Sequence, residues 1–420
     1  MVKVEQRKNS VPSVFAIFFH PNPKITALGG AEKRFVETLK IFNNKKNLKI
    51  TVLESAPSLL EKRGINCKKY LVSCSVGEKG WLSTYFNWIF WTIKASIKGF
   101  SVVHLAKPKI ILAPNNTLPN LFPTILLSFI FHIPLIVIVH HLDNPSLKTE
   151  NKAKDCSLYS CYRYLGYSRL VSLAKTFAFY LTIFLLKRVE GIIAVSRFTA
   201  KNLENNGILS SKIFVSGNAV NLDLIGKVKP YSREKVYDGV FVGRIAKEKG
   251  VFDLVKIWKE VVMVKRNAKL LIIGSGLELP FLREEINSFG LEDEVLLYGK
   301  CSDFELYRLL KSSKIFIFPS LFEGWGLAVA EALACGLPVV AYDIPALREN
   351  FGKCQSVFFT RPKNFKELSL TVLELLNLSR KKLARLGEKS RIFSRKFSWE
   401  TVAEKDLEAL QLFLELSSKN

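Results

Sequence analysis

At 420 residues the chain is too long for one ordinary core, and roughly 100–200 residues per domain points to two or three. Its 48% hydrophobic and 24% charged residues exclude wholesale disorder. The excess of 62 Lys and Arg over 37 Asp and Glu leaves +25, a field that suits an anionic partner: nucleic acid, anionic lipid or a phosphorylated small molecule.

Residues 1–10 are charged and polar, with no apolar run before a small-residue cleavage site, so no secretory signal is read and a cytoplasmic location is expected. The first half then offers strand candidates at 14–19, 50–53, 110–112, 135–139 and 192–195, with helices between them. Within it, residues 81–98 interleave Trp81, Trp88 and Trp91 with Lys94 and Lys98, as in helices lying on a bilayer; a core helix with snorkelling lysines is the alternative. Residues 118–139 have the length of a membrane span but are broken by Pro119, Pro123 and Pro134, so they read as a helix followed by a buried strand. Residues 149–169, polar and rich in Tyr and Ser, look like an insertion, and 170–186, apolar around Lys175, like a long packed or interfacial helix. No transmembrane segment is assigned.

Turn residues interrupt the pattern from Ser216 to Pro230, which sets a boundary between a first domain at 1–215 and a second at 216–397. The second alternates strand and helix: strand 239–242, helix 251–264, strand 269–273, helix 279–289, then continuous apolar runs at 295–298, 314–318 and 338–342, expected to be parallel strands covered on both faces. The fold class is therefore α/β, two doubly wound Rossmann-like lobes with a cleft between them. Residues 398–420 form a last helix, capped by Ser398 and expected to pack back on the first lobe.

The seven cysteines are scattered and odd in number, which suits reduced thiols; no histidine stands beside Cys156 and Cys161, and no metal site is expected. The chemistry concentrates in Glu323-Gly-Trp-Gly-Leu-Ala-Val-Ala-Glu331, just past the apolar run 314–318. Gly324 and Gly326 allow close backbone approach to a ligand, and the helix opening at Leu327 offers unpaired N–H groups to an anion. Eight residues turn an ideal helix roughly 800°, about 80° from alignment, so Glu323 is placed on the loop and Glu331 on the helix. A lone carboxylate among alanines and leucines needs a partner, such as a ribose diol. Arg244 and Lys249 follow another strand, suited to a diphosphate without Mg²⁺.

This segment, followed by Ala332-Leu-Ala-Cys-Gly-Leu-Pro-Val-Val, resembles the signature of the family-four retaining glycosyltransferases (glycosyl transferases group 1) of the GT-B fold. Val242-Gly243-Arg244-Ile-Ala-Lys-Glu-Lys249-Gly250 is similar to that family's diphosphate-gripping motif, Leu271-Ile-Ile-Gly-Ser-Gly276 to its next strand and turn, and Gly29-Gly30-Ala-Glu-Lys33 to its glycine-rich turn. The resemblance implies a metal-independent retaining hexosyltransferase with no cofactor beyond its GDP- or UDP-linked donor sugar. Glu331 would bind the ribose, and Glu323 would face the donor sugar's hydroxyls and the charge growing at its anomeric carbon. His140 would touch sugar and phosphate, although the family usually has His-Asp where this chain has His140-His141. Gly29, Gly30, Gly243, Arg244, Lys249, Gly324, Trp325, Gly326 and Leu327 would line the donor. A weaker resemblance of Phe18-Phe-His20-Pro, ahead of the glycine turn, to enzymes that add mannose to polyprenyl-linked oligosaccharides implies a glycan or polyprenyl-phosphate-linked acceptor and peripheral contact with an anionic membrane on its cytosolic face. His20 is a weaker candidate for the cleft. Asn218-Ala-Val-Asn221 replaces the family's usual Asn-Gly-Val-Asp. An inactive scaffold of the same fold is the alternative; a nucleic-acid binder would need a recognised module, and none is read.

Overall fold

A computed structural model of the chain describes residues 12–20, 28–46, 48–55, 59–73, 80–142, 157–232 and 235–418, the side chains of 80–86 excepted. Two parallel sheets carry the molecule. The first has seven strands in the order β3-β2-β1-β4-β5-β6-β7: β1 Ser13–Phe18, β2 Lys49–Glu54, β3 Lys68–Leu71, β4 Ile110–Ala113, β5 Leu135–Val139, β6 Gly191–Ala194 and β7 Ile213–Val215. The second has six in the order β10-β9-β8-β11-β12-β13: β8 Tyr237–Val242, β9 Leu270–Ile273, β10 Val295–Gly299, β11 Ser313–Phe318, β12 Val339–Tyr342 and β13 Val357–Thr360.

Both orders reverse beside their first strand, between β1 and β4 and between β8 and β11. At such a point the loops leaving neighbouring strands part in opposite directions and open a crevice at the carboxyl ends. The loops after β8 and β11 carry residues 243–249 and 319–326, so the two segments singled out by sequence meet there.

The strands are apolar on both faces because helices cover both. In β1, Val14, Ala16 and Phe18 face one core, while Phe15 and Ile17 face the other. The expectation of full cover fails for β10. It is an edge strand whose burial alternates, leaving Leu296 and Tyr298 exposed. Three strands went unpredicted, β3, β7 and β13; each ends a sheet, is only three or four residues long and is half-buried, so its apolar signal is diluted.

The helix Trp399–Ser417 lies against Gly30–Lys45 in the first lobe, and Phe413 covers Gly191, where an added Cβ would meet its ring at 2.3 Å. Arg34 joins these parts. Wholly buried, it donates through Nη2 to Asp406 Oδ1 and Ser216 Oγ, both at 2.7 Å, and through Nε to the Gly217 carbonyl at 3.3 Å. One side chain thus ties the first lobe, the crossing segment and the last helix.

On the other side of the first sheet, the helices Gly80–Ala106, Leu118–Phe131 and Arg169–Leu186 pack side by side. Arg169–Leu186 has the length and composition of a span, yet Phe179, Ile183 and Leu186 lie in the core. Trp91, left between a bilayer-lying and a core reading, takes the core one: it is buried with its indole N–H on the Val72 carbonyl at 3.0 Å. Trp81 lies outside the described side chains. The outward face is nonetheless apolar: Phe90, Ile97, Phe129, Leu170 and Phe177 are each more than 60% exposed. Cations edge it, with Lys94 over the Phe90 ring at 4.5 Å and Arg188 over Phe184 at 3.5 Å.

Replacing Arg34 by leucine strands Asp406 without its cation. A loss of about 3–5 kcal/mol is expected in urea denaturation; a change within ~0.5 kcal/mol would show that Arg34 does not hold these parts together.

Candidate active site

The cleft is closed by an approach between backbones. Gly324 lies so near the end of β5 that an added Cβ would meet the His140 carbonyl oxygen at 1.7 Å and His141 Cβ at 3.0 Å. Its own carbonyl accepts from Ser196 Oγ at 2.7 Å and from Thr199 Oγ1 at 3.3 Å. Nearby, Glu349 of the second lobe accepts from the Arg197 and Phe198 amides at 2.8 and 2.6 Å, placing an anion on the first turn of the helix Arg197–Asn205. Gly326, at φ 100°, turns the loop into the helix Leu327–Ala334, and the Leu327 side chain lies beside Gly30.

Glu323 sits on the loop and Glu331 on the helix. Glu323 Oε1 takes the Lys249 ammonium at 2.5 Å and the Ser320 hydroxyl at 3.1 Å, and Lys249 also reaches the Phe322 carbonyl at 3.3 Å. Glu331 is buried, and its partner within the protein is Lys33 of the opposite lobe, Nζ to Oε1 at 2.6 Å, joined by the Tyr307 hydroxyl at 3.0 Å. Lys33 is held on its other side by Asp303 at 2.9 Å, and Asp303 by Arg63 at 3.4 Å. Burial pulls the Lys33 ammonium toward neutrality, but Glu331 and Asp303 together outweigh it and hold the group above its ordinary range. Burial likewise raises Asp303, and Lys33 with Arg63 brings it below the usual carboxylate range.

Arg244 does not join Lys249. It turns to Glu248 Oε1 at 2.6 Å, and the other oxygen of Glu248 accepts from the Tyr167 hydroxyl at 2.6 Å. Lys247 Nζ donates to the Gly166 carbonyl at 2.7 Å, so the end of the inserted segment reaches across to the loop after β8. Gly243 continues β8 through its amide to the Ile273 carbonyl at 3.0 Å. Gly29 is the extended N-cap of the helix beginning at Gly30, whose first turn includes Glu32.

His140 Nε2 lies 3.1 Å from the Pro114 carbonyl. Burial, followed by the Arg34 charge, pushes its pKa down to about 3, against a smaller opposing effect of that hydrogen bond. His141 meets the Phe322 ring edge-on at 5.9 Å. His20 is buried at the end of β1, its amide donating to Ser55 Oγ at 2.7 Å. Trp325 needs correction as a lining residue. Its indole packs in the core against Phe351 and Phe397, at 5.5 and 5.0 Å between centroids, and its carbonyl accepts from Asn350 Nδ2 at 3.1 Å.

Sequence reasoning missed Asp303, Tyr307, Arg63, Tyr167 and the part played by Lys33. For Lys33 a signal existed: it precedes Val36 by one helical turn on the buried side of Gly30–Lys45, where an unpaired ammonium would be costly. The others are brought in by tertiary contact alone.

The family description "Glycosyl transferases group 1" matches residues 227–393, and "Glycosyltransferase Family 4" matches residues 29–224. An uncharacterised glycosyltransferase of Methanocaldococcus jannaschii is 27% identical over 332 residues, covering 76% of this chain and 72% of its own. The O-antigen chain mannosyltransferase B of Escherichia coli is 22% identical over 295 residues, covering 68% and 74%. Among solved structures, Anabaena HepE in complex with UDP and glucose superposes with a TM-score of 0.69 at 18% identity, covering 96% of this chain and 100% of that one. Sucrose-phosphate synthase from Thermosynechococcus elongatus superposes with 0.71 at 16% identity, covering 97% and 100%.

With its pKa near 3, His140 stays neutral while the unfolded chain takes up a proton near 6.5. Its contribution to stability is full above about pH 6.5 and is lost as pH falls toward 3. Its ring signals in NMR should not titrate between about pH 8 and 5; an inflection in that window would refute the assignment.

Proposed function

The chain belongs to the family-four, group 1 glycosyltransferases of GT-B fold, and from that premise we propose that it moves a hexose, with retention at the anomeric carbon, from a nucleoside-diphosphate sugar to a hydroxyl of a lipid-linked glycan at a membrane surface. The observation that carries this reading is the pairing of both signature carboxylates with cations in one cleft, Lys249 on Glu323 and Lys33 on Glu331.

In this reading the diphosphate lies along the loop after β8, where Lys249 exchanges part of its hold on Glu323 for phosphate oxygens and Arg244 swings from Glu248. Among the described residues no three His, Cys, Asp or Glu side chains cluster to hold a metal. We assign the neutralisation of the leaving diphosphate to these cations, with no cofactor. Glu331 accepts from the ribose. Glu323, released from part of its ion pair, faces the donor sugar and stabilises positive charge developing at its anomeric carbon. The neutral His140, beside the Gly324 loop, donates through Nε2 to the Pro114 carbonyl and accepts a hydrogen bond from a sugar hydroxyl through Nδ1, without adding charge. Attack from the leaving-group side, with the departing phosphate taking the acceptor proton, is inherited from the family resemblance.

Mannose is favoured by the likeness to an O-antigen chain mannosyltransferase, while the HepE complex holds UDP and glucose. Thermal shift with GDP, UDP and ADP separates these donors, because only a ligand that binds the folded chain raises Tm. The lipid-linked acceptor and the peripheral membrane contact rest on the three-helix face, whose apolar surface and cationic edge suit an anionic bilayer.

Glu331→Ala should weaken nucleotide affinity about tenfold or more with a smaller change in kcat, whereas Glu323→Ala should lower kcat by about a hundredfold at nearly unchanged affinity. Calorimetry and turnover with the donor found by thermal shift check this, and negligible effects from both would refute the roles. Replacing Phe90 and Phe177 together by serine should reduce flotation with anionic liposomes while sparing turnover on a soluble acceptor. Unchanged flotation would remove that face from the membrane.

A further inference from the structure

Glu331 presents its two oxygens unequally. Oε1 receives the Lys33 ammonium and the Tyr307 hydroxyl, at 2.6 and 3.0 Å, and Oε2 takes neither. Lys33 enters from the other lobe and is itself buried, with Asp303 on its far side and Arg63 behind Asp303. Two cations therefore meet two carboxylates in a closed cluster. Such a cluster has no spare charge to attract a phosphate; it can fix the direction in which one carboxylate faces.

We propose that Lys33 and Tyr307 are specificity-determining positioning residues: by occupying Oε1 they turn Oε2 to the donor and make the site select a ribose over a deoxyribose. The inference rests on the reading of Glu331 as the ribose ligand and adds what aims it. A carboxylate that keeps a permanent cation on one oxygen only accepts hydrogen bonds. A ribose supplies two adjacent donors to it, and a sugar lacking one leaves a desolvated acceptor unmet. Sites built to bond a hydroxyl discriminate strongly against its absence for that reason, whereas an apolar pocket does so weakly. Without Lys33, Glu331 keeps only the Tyr307 hydroxyl on Oε1 and is free to rotate about that single bond or to take up a proton, and in either case the acceptor geometry is lost. Lys33 touches no substrate in this account, and its effect passes through Glu331.

The test is calorimetric binding of UDP against 2′-deoxy-UDP and of GDP against 2′-deoxy-GDP, using the full chain. The native protein should prefer the ribonucleotide by about tenfold or more. Lys33→Met should bring the preference below about threefold, chiefly by weakening the ribonucleotide, and Lys33→Arg should restore most of it because the cation returns. Lys33→Met that folds and keeps the native preference overturns the proposal. Glu331→Gln separates the two ideas. Preference retained in Glu331→Gln defeats the ribose reading itself; preference lost there but kept in Lys33→Met defeats only the aiming role. Should Lys33→Met fail to fold, Tyr307→Phe decides. It deletes only the second donor to Oε1 and should give an intermediate preference, and an unchanged one counts against the proposal.

Discussion

The arrangement of the cleft depends on one steric constraint: the loop after β11 lies directly on the carbonyl of His140, where position 324 admits no side chain. Because the backbones touch, Ser196 and Thr199 can bond the Gly324 carbonyl, and Glu349 can reach the start of the helix Arg197–Asn205. The ends of β5 and β6 and the loop after β11 are thereby fixed to one another by contacts of the protein itself. Glu323 and Glu331 follow in the same piece of chain, so the opposite lobe's His140 and Lys33 are set against them by the same contact. Preorganisation of this kind lowers the cost of ordering when a substrate arrives.

Within that frame the ion pairs differ in how readily they can be exchanged. Arg244 is 58% exposed where it meets Glu248, and an exposed pair is worth about 0–1 kcal/mol. Giving up that pair therefore costs little. Lys33 and Glu331 are each about 5% exposed, and breaking a buried pair by withdrawing one partner costs about 3–5 kcal/mol. Magnitude alone separates these pairs. Arg244 and, at intermediate burial, Lys249 are free to change partner, while Lys33 stays in place. Tyr167 refines this division, because its bond holds the other oxygen of Glu248 independently of Arg244.

Legibility in the sequence followed the range over which each residue acts. The two sheets were readable because β1, β5, β11 and β12 are continuous apolar runs between turn signals, whereas β3, β7 and β13 at the sheet ends are short and half-wet. The separation of Glu323 from Glu331 followed from helical geometry and a glycine pair. The partner of Glu331 did not, since Lys33 lies 298 residues away and a carboxylate among alanines says only that some partner exists. Trp91 was left between surface and core, and Trp325 was placed in the donor lining, for a related reason: an indole serves equally as core or surface, and only contact with Val72 in the one case and with Phe351 and Phe397 in the other decides.

The inserted segment and the three-helix face bear on each other through the direction of the chain. In a parallel sheet, a connecting helix starts at the carboxyl end of one strand and runs back toward the amino end of the next. Gly80–Ala106 follows β3 and Arg169–Leu186 follows β5, so both begin at the end of the first sheet where the cleft opens. Tyr167, two residues before Arg169, already touches the loop after β8. A bilayer resting on the exposed side chains of these helices would therefore meet the protein beside the cleft mouth, toward the helix starts, where Ile89, Phe90 and Leu170 are exposed. On the proposed reading, a lipid-linked acceptor would then meet the cleft from the side on which these helices begin, and the direction of the chain in the parallel sheet, more than any single basic residue, sets that side.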